Sequence, residues 1–370
     1  MAHRLMGRVL AMIVKELWAV LRDPRARISL IAPPLLQLVL FSAAATLEIK
    51  HVDIGVYDRD HGVWSAEFIS QLAGSPTVDH IVRIDSPQAL SAAIDDRKVI
   101  GVLTFDETFS RDIAAGRTGT VSAILDGRRS NAAQIVGGYL QRIAGSVGAA
   151  VRPQLRPTGE TVVTHGFNPN LDYIWFMLPT LLVQISAMSA MAVASQTVAR
   201  ERELGTFDQL MVSPLRVYEI LMGKMVPPMI IGMFNATVYL ILIPLVFGVP
   251  LLGSVAVFYL ALFVYLLAAI GLGMVISTVT HTQQQAFLGM FMIIVPSVLL
   301  SGFASPVENM PPWLQILAQA DPMKHFVVIA EGVFLKAMPA ADILANVWPL
   351  AVIATFTLGI ATVLFRSRVE

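Results

Sequence analysis

The distribution of charge constrains this fold most strongly, because four long segments contain no Asp, Glu, Lys or Arg. These segments are 28–47, 173–199, 225–307 and 343–365, which hold 20, 27, 83 and 23 residues. An α-helix needs about 20 apolar residues to cross the hydrocarbon core of a bilayer. The first, second and last segments therefore each predict one transmembrane helix.

The 83-residue segment is too long for a single helix, and two groups of turn-forming residues divide it. The first group surrounds Gly248 and Pro250, and the second is the polar stretch 280–285. The three resulting spans run near 225–246, 255–279 and 286–303. The predicted fold class is therefore an α-helical polytopic membrane protein with six transmembrane helices and an inserted α/β domain.

Lys and Arg in the short loops predict the orientation of the chain. Six lie before residue 28, four between 200 and 224 and two after 365, against two in 305–342. Short cytoplasmic loops carry an excess of these residues. We therefore expect both termini in the cytoplasm and the segment 48–172 outside the membrane, with 28–47 as an uncleaved signal anchor.

The N-terminal segment 1–27 has the pattern of an amphipathic helix. At about 100° per residue four of its basic side chains share one face, and five of its apolar side chains face the other way. The basic set is Arg4, Arg8, Lys15 and Arg22, and the apolar set is Met6, Val9, Ile13, Leu17 and Val20. Such a helix lies along the inner membrane surface. The alternative is a basic topology signal without a defined helix.

The segment 48–172 alternates short apolar runs of strand length with helix starts. The runs lie near 52–57, 80–84, 98–105 and 120–125. This alternation predicts a small α/β domain with a mixed or parallel sheet. The expected organisation is a cytoplasmic helix at 1–27, the first span at 28–47, an extracytoplasmic domain at 48–172 and the remaining spans in 173–370.

The sequence carries few signs of catalysis. It contains no Cys, no Gly-x-Ser-x-Gly and no Gly-x-x-x-x-Gly-Lys-Ser/Thr, so a P-loop must come from another polypeptide. Its net charge of zero argues against nucleic-acid binding. The seven His residues are scattered. Asp58, Asp60 and His61 suit a metal or acid/base cluster, although a solvated turn after a strand explains them more simply. We expect no metal site and no enzyme activity.

The loop after the second predicted span is the most informative stretch. Gly205 and Thr206 can end one helix and cap the next. Phe207, Leu210 and Met211 then place apolar side chains at positions i, i+3 and i+4 of a short amphipathic helix. Such a helix between two spans can pass force from a soluble partner into the membrane. The alternative is an ordinary capped loop whose apolar face rests on the bilayer.

Two stretches of sequence resemble a known family. Glu-Arg-Glu-x-Gly-Thr at 201–206, followed by Leu-x-x-Ser-Pro at 210–214, resembles the membrane subunits of type-2 ABC exporters. The stretches 301–314 and 321–326 look like the external re-entrant segment of that family. A large external domain between the first two spans is similar to one bacterial branch.

The resemblance implies a division of labour between subunits. Segment 1–27 is then the connecting helix, 206–212 the coupling helix that docks on an ABC ATPase, and 304–326 the re-entrant segment. ATP and Mg are expected on the partner ATPase, with no cofactor in this chain. The residues expected to couple to the ATPase are Glu201, Arg202, Glu203, Gly205, Thr206, Phe207, Leu210, Met211, Ser213 and Pro214.

The resemblance also implies a second permease chain, identical or different, with the first, second and fifth spans along the substrate path. Polar and soft side chains inside apolar spans tend to face protein or a cavity. The candidates for the path are Gln37, Gln184, Ser186, Met188, Asn235 and Tyr239. The alternative role of each is helix packing.

We therefore expect an exporter permease of the bacterial inner membrane that moves a drug-like, lipid or other amphiphilic substrate. Its expected partners are ABC ATPase subunits, a second permease chain, membrane lipid and, where one is used, a periplasmic adaptor. One alternative is a membrane-anchored sensor whose external domain binds a ligand. Another is a membrane-embedded enzyme with a charged cluster near a span end, for which the candidates are Glu308, Asp321, Lys324 and His325.

Overall fold

The chain forms two compact units in this computed structural model, one of residues 1–45 with 165–370 and one of residues 46–164. The described residues are 2–22, 24–44, 52–75, 78–96, 98–126, 130–151, 168, 172–212 and 215–367. The helices are α1 (Ala2–Leu21), α2 (Pro24–Ala44), α3 (Val63–Ala73), α4 (Pro87–Asp95), α5 (Phe109–Ala114), α6 (Ser130–Val151), α7 (Tyr173–Glu203), α8 (Phe207–Met211), α9 (Val217–Phe247), α10 (Val255–Val279), α11 (Gln283–Leu300), α12 (Pro312–Gln319), α13 (Pro322–Leu335) and α14 (Ala340–Ser367). A 3₁₀ turn spans Val307–Asn309. The strands are β1 (Val52–Asp58), β2 (Val78–Arg83), β3 (Gly101–Phe105) and β4 (Val121–Leu125).

Several helices are long and apolar enough to cross a membrane. Within the described residues these are α7, α9, α10, α11 and α14, with lengths of 31, 31, 25, 18 and 28 residues. The predicted first span at 28–47 falls largely on α2, whose apolar stretch, Leu30–Phe41, is shorter. The chain is therefore a polytopic membrane protein.

Helix α7 occupies the centre of the helical unit, where it packs against α9, α10, α11 and α13. Its buried Ala187, Ala190 and Ala194 follow helical spacing and let neighbouring backbones approach closely. Tyr265 of α10 stacks on Phe326 of α13, with ring centroids 4.5 Å apart. Because lipid tails are as apolar as these side chains, such close packing holds the helices together.

The second unit is built on a four-stranded sheet with the order β2-β1-β3-β4. Strand β1 is parallel to β2 and β3, and β3 is antiparallel to β4. The sheet is thus mixed, one of the two arrangements that the alternation of strands and helices predicts. The third strand begins at Gly101 and not at 98, and α5 begins at Phe109 because residues 106–109 form a turn.

The apolar side chains of β1 alternate along the strand. Val52, Ile54 and Val56 lie in one core with α3 and α6. Helix α6 contributes buried residues at helical spacing, namely Val136, Leu140, Ile143 and Val147. Burying each such side chain contributes about 1.5–3 kcal/mol. A smaller core on the other face of the sheet includes Val102 of β3 and Ala93 of α4.

Candidate functional site

The turn after α7 has the hydrogen bonds of a Schellman motif. The N–H of Gly205 donates to the carbonyl of Arg202 at 3.1 Å, and the N–H of Thr206 donates to the carbonyl of Glu201 at 2.9 Å. These bonds satisfy carbonyls that the end of a helix leaves open. Gly205 has φ of +70°, a conformation that glycine adopts without strain. The sequence places the end of this helix correctly.

Helix α8 begins two residues after that glycine and lies within the predicted segment 206–212. The guanidinium of Arg202 sits over the ring of Phe207, 5.0 Å from its centroid. Phe207 also meets Phe365 of α14 edge-on, with centroids 6.2 Å apart. These contacts fix the start of α8 against α7 and α14. The side chains of Leu210 and Met211, and all of Ser213 and Pro214, lie outside the described residues.

Arg202 and Glu203 of the Glu-Arg-Glu triplet each cap a different helix. Arg202 Nη1 donates to the carbonyl oxygens of Thr278 and Thr280 at the end of α10, at 2.7 and 3.0 Å. Glu203 Oε2 accepts from the backbone N–H and the side chain of Gln283, the first residue of α11, at 2.8 and 3.2 Å. A cation at a helix C-terminus and an anion at a helix N-terminus are each worth about 0.3–1 kcal/mol.

Glu201 turns inward to a cluster of four charges, which we define as Lys15, Glu16, Glu201 and Lys224; two of them, Glu201 and Lys224, are buried. Lys224 Nζ lies 3.1 Å from Glu201 Oε1 and 3.2 Å from Glu16 Oε1. Lys15 Nζ lies 2.9 Å from Glu201 Oε1. Lys224 is 0% exposed and Glu201 6% exposed. Buried charges need partners, and here two lysines face two glutamates.

The charge of Lys15 depends on the same cluster. Partial burial alone would lower the pKa of Lys15, but its hydrogen bond to Glu201 and the negative charges of Glu201 and Glu16 raise it. Lys15 therefore stays a cation at physiological pH. Its side chain is half-exposed, in keeping with the basic face expected for this helix, while its ammonium group faces Glu201.

Sequence reasoning did not single out Lys224 or Glu16. The available signal was position, because Lys224 is the last cation before the 83-residue uncharged segment and lies well inside helix α9. Three residues of the predicted apolar face of α1, Val9, Ile13 and Leu17, are partly buried. Met12, which lies outside that predicted set, is buried against the helical core. A stripe of large apolar side chains is exposed, namely Leu10, Val14, Trp18 and Leu21.

A cavity of about 560 Å³ lies beside the cluster, among α1, α2, α7, α9 and α11. Its walls are largely apolar and include Met188, Met290 and Phe287. Polar groups also reach it, among them Gln37, Gln196 and Arg200. Glu16 and Thr197 line the cavity too, so the charge cluster and the cavity share a boundary. Apolar walls with a few polar groups are typical of small-molecule sites.

The residues predicted for the substrate path fall into two groups. Gln37 and Met188 line the cavity. The other four, as far as the structure describes the lining, lie outside it. Three of these make packing hydrogen bonds; Ser186 bonds to Val183 O, Asn235 to Ser189 Oγ at 2.8 Å and Tyr239 to Pro34 O. The fourth, Gln184, is partly buried on α7.

The acidic turn after β1 organises its own backbone. Asp58 Oδ1 accepts from the N–H groups of Asp60 and His61, and Asp60 accepts from Gly62 and Ser110. Although partial burial acts in the opposite direction, hydrogen bonds, chiefly from Ser110, lower the pKa of Asp60. Over the described ranges, no three His, Asp or Glu side chains are placed to share a metal ion. This geometry agrees with the simple turn interpretation.

The polar residues around α12 and α13 also have structural partners. Asp321 caps α13 by accepting from the N–H of Met323 at 3.1 Å, and it bonds to the hydroxyl of Ser297. Lys324 Nζ donates to Gln319 Oε1 at 2.8 Å, and His325 Nε2 lies 2.9 Å from the Gln319 carbonyl. These contacts hold the loop between α12 and α13 in place.

Comparison with known proteins identifies the family. Residues 27–363 match the model of the ABC-2 family transporter protein. The chain is 41% identical over 364 residues, 98% of its length and 99% of the relative, to the "Probable multidrug ABC transporter permease YbhR" of Escherichia coli K12. It is 26% identical over 373 residues to YbhS of the same strain, named likewise, with 98% of each chain covered. It is 27% identical over 285 residues to the "Inner membrane transport permease YhhJ", with 76% of each chain covered. The chain therefore belongs to the ABC-2 transporter family and is a permease of the type-2 ABC class.

Proposed function

We propose that this permease forms, with a second permease chain, an export path for amphiphilic, drug-like molecules that separate ATPase subunits drive. The cavity beside the charge cluster is the observation that carries the proposal. Its volume of about 560 Å³ falls in the range of about 300–1,000 Å³ seen for small-molecule sites. Its methionine and aromatic walls suit apolar ligands of varied shape.

The position of the cavity supports its role as part of the path. It is lined by α2, α7 and α11, which hold the predicted first, second and fifth spans. Two names among the relatives include the word multidrug. Gln37, Gln196 and Arg200 are among the polar groups that would orient the polar end of a bound amphiphile, while Met188 and Phe287 would contact its apolar part.

The proposed ATPase contact is α8 with the adjacent Val212. Val212 is 87% exposed, and α8 is joined to α7 by the turn at Gly205. Because the chain has no P-loop, ATP and Mg would be bound by the partner. Phe207, Gly205 and Thr206 would hold α8 in place, whereas Glu201, Arg202 and Glu203 would act through helix contacts inside this chain.

The proposed topology has six spans, with α2 as the first and both termini in the cytoplasm of a bacterial inner membrane. The basic residues in the short loops support this orientation. The unit of residues 46–164 would then be extracytoplasmic, and 304–326 would form the external re-entrant segment. The external unit is available to an adaptor or to a second permease chain.

A cavity-filling substitution tests the proposed path. Met188→Trp should reduce efflux of the amphiphilic dye Hoechst 33342 from cells at least tenfold, because the indole occupies space that the dye needs. The protein should still reach the membrane and co-purify with its ATPase. Leu260→Trp, at a position of α10 that is 64% exposed, is the matched control and should transport normally.

Normal efflux by a well-inserted Met188→Trp variant would exclude this cavity from the path. Failure of the unmodified chain to co-purify with any ATPase, together with dye binding by the external unit, would instead favour the sensor function.

A further inference from the structure

The ammonium group of Lys224 has partners at three other positions. It donates hydrogen bonds to Glu16 Oε1 and to the carbonyl oxygen of Thr197, both at 3.2 Å, and it forms an ion pair with Glu201 Oε1 at 3.1 Å. Glu16 belongs to α1, Glu201 and Thr197 belong to α7, and Lys224 itself belongs to α9. One side chain therefore links three helices.

The backbones of α1 and α9 approach closely at the same place. A Cβ on Gly223 would lie 2.8 Å from Cβ of Met12, closer than such atoms pack. Met12 is buried there, one turn before Glu16 along the same helix. The glycine thus lets α1 settle against α9 at the depth where Lys224 reaches Glu16.

Glu201 depends on the two lysines for its partners. Its Oε1 receives both Lys15 and Lys224, and its Oε2 is buried without a hydrogen-bond partner among the described residues. Replacing a buried ion pair with apolar residues is often neutral or stabilising, so such a pair is weak evidence for a role in stability alone. A cluster that joins three helices in one geometry fits a mechanical role better.

The cluster also lies between α8 and the cavity. Glu201 is four residues, about one helical turn, before Gly205, after which α8 begins. Glu16 and Thr197 line the cavity. A displacement of α8 that moves the end of α7 therefore moves the cluster and the inner boundary of the cavity with it.

We propose that Lys15, Glu16, Glu201 and Lys224 lock the ends of α1, α7 and α9 into one rigid unit, which transmits ATPase-driven movement of α8 to the cavity. This inference rests on the proposed function. It assigns Lys224 and Glu16 as positioning residues for transport, and it gives Glu201 an internal role in place of direct contact with the ATPase.

Neutralising substitutions separate a mechanical role from a structural one. Lys224→Met removes the central cation, and Lys224→Met with Glu201→Gln removes the pair and keeps the cluster free of net charge. Both variants should co-purify with the ATPase in wild-type proportion and hydrolyse ATP in proteoliposomes. Their transport of Hoechst 33342 per ATP hydrolysed should fall at least tenfold, and dye should no longer stimulate hydrolysis.

The control is Lys98→Met, the same substitution at a lysine that is 69% exposed and paired with Asp96, and it should leave both rates unchanged. If neither Lys224 variant reaches the membrane, Glu16→Gln replaces them. It removes the negative charge that faces Lys224 from α1 and leaves Glu201 paired, and it should lower the same ratio of transport to hydrolysis.

Distance measurements test the rigid unit itself. The natural chain has no Cys, so spin labels at Leu10→Cys of α1 and Met222→Cys of α9 need no background changes. Both positions are more than half exposed. The distance distribution between the labels should be narrow and the same without nucleotide and after vanadate trapping. Lys224→Met, or Glu16→Gln in its place, should broaden it.

Wild-type coupling in the double variant, or in Glu16→Gln where that variant is used, would overturn the proposal, as would an unchanged narrow distance distribution. Absence of a co-purifying ATPase from the unmodified chain is a different result, because it would contradict the proposed function and not the rigid cluster. The two failures are thus distinguished by the unmodified chain alone.

Discussion

At the scale of single residues, the contacts that link the helices are concentrated in the five residues from Glu201 to Gly205. Glu201 pairs with Lys224, Arg202 caps α10, and Glu203 caps α11. Gly205, with φ of +70°, then connects α7 to α8. The resemblance to ABC exporters singled out this stretch, and the structure shows how its charges are used inside the chain.

Replacing Gly205 should weaken the joint between α7 and α8. Gly205→Ala places a Cβ on a residue with φ of +70°, at a cost of about 1–2 kcal/mol. We expect a lower melting temperature in detergent and slower dye efflux. Gly359→Ala is the matched control, because Gly359 lies inside α14 with no neighbouring atom within 4 Å of the added methyl group. If both variants have the same melting temperature and the same rate of dye efflux, the positive φ of Gly205 is not important for stability or transport.

The sequence allowed the end of a helix to be predicted but not the ion pairs between helices. Gly205 is recognisable because glycine after a helical stretch has a local meaning. Lys224 is not recognisable in this way, because its ion-pair partners Glu16 and Glu201 are 208 and 23 positions away in the chain. Likewise, Gln37 and Met188 could be named as candidates, whereas the bonds that hold Asn235 and Tyr239 appear only in three dimensions.

At the scale of elements, hydrophobic patterning accounts for most of the architecture. The charge-free segments from residue 173 onward correctly predict the apolar helices α7, α9, α10, α11 and α14. The short apolar runs between 52 and 125 correctly predict the strands of the sheet. The start of β3 differs from the prediction, because the strand begins at Gly101 and not at 98. The depth and tilt of α2 depend on its neighbours, so its pattern alone does not determine them.

The α/β unit should lose stability in acid through Asp60. Its pKa is lowered in the folded state, so the stabilisation is present above the unfolded pKa of about 3.9 and is lost as pH falls through the lower folded pKa. The protection factors against hydrogen exchange of β1 and α3 in the intact chain should therefore fall below about pH 4. Asp60→Asn should reduce this pH dependence, while Asn at the exposed Asp95 should not. An Asp60→Asn variant with the same pH dependence as the unmodified chain would contradict this role of Asp60.

At the scale of the whole molecule, the chain supplies a membrane passage and lacks the motif for nucleotide binding. Family membership and the apolar helices establish a membrane permease. The sequence has no P-loop motif, in keeping with the proposal that a separate ATPase subunit drives transport. The cavity and α8 are then two ends of one proposed mechanical path.

The proposed orientation predicts which surfaces face outward. In the cysteine-free background, Val63→Cys in the α/β unit should react with a membrane-impermeant maleimide added to spheroplasts. Val212→Cys, next to α8, should react only after permeabilisation. Both positions are more than three-quarters exposed. The reverse labelling pattern would place the α/β unit in the cytoplasm and α8 outside the membrane.

Simultaneous measurement of ATP hydrolysis and dye transport in proteoliposomes made from the affinity-purified chain tests the central claim most directly. The account predicts that a separate ATPase co-purifies, that transport requires it, and that the chain stripped of this partner neither hydrolyses ATP nor transports dye. Hydrolysis by the stripped chain, or full ATP-driven transport without the partner, would contradict it.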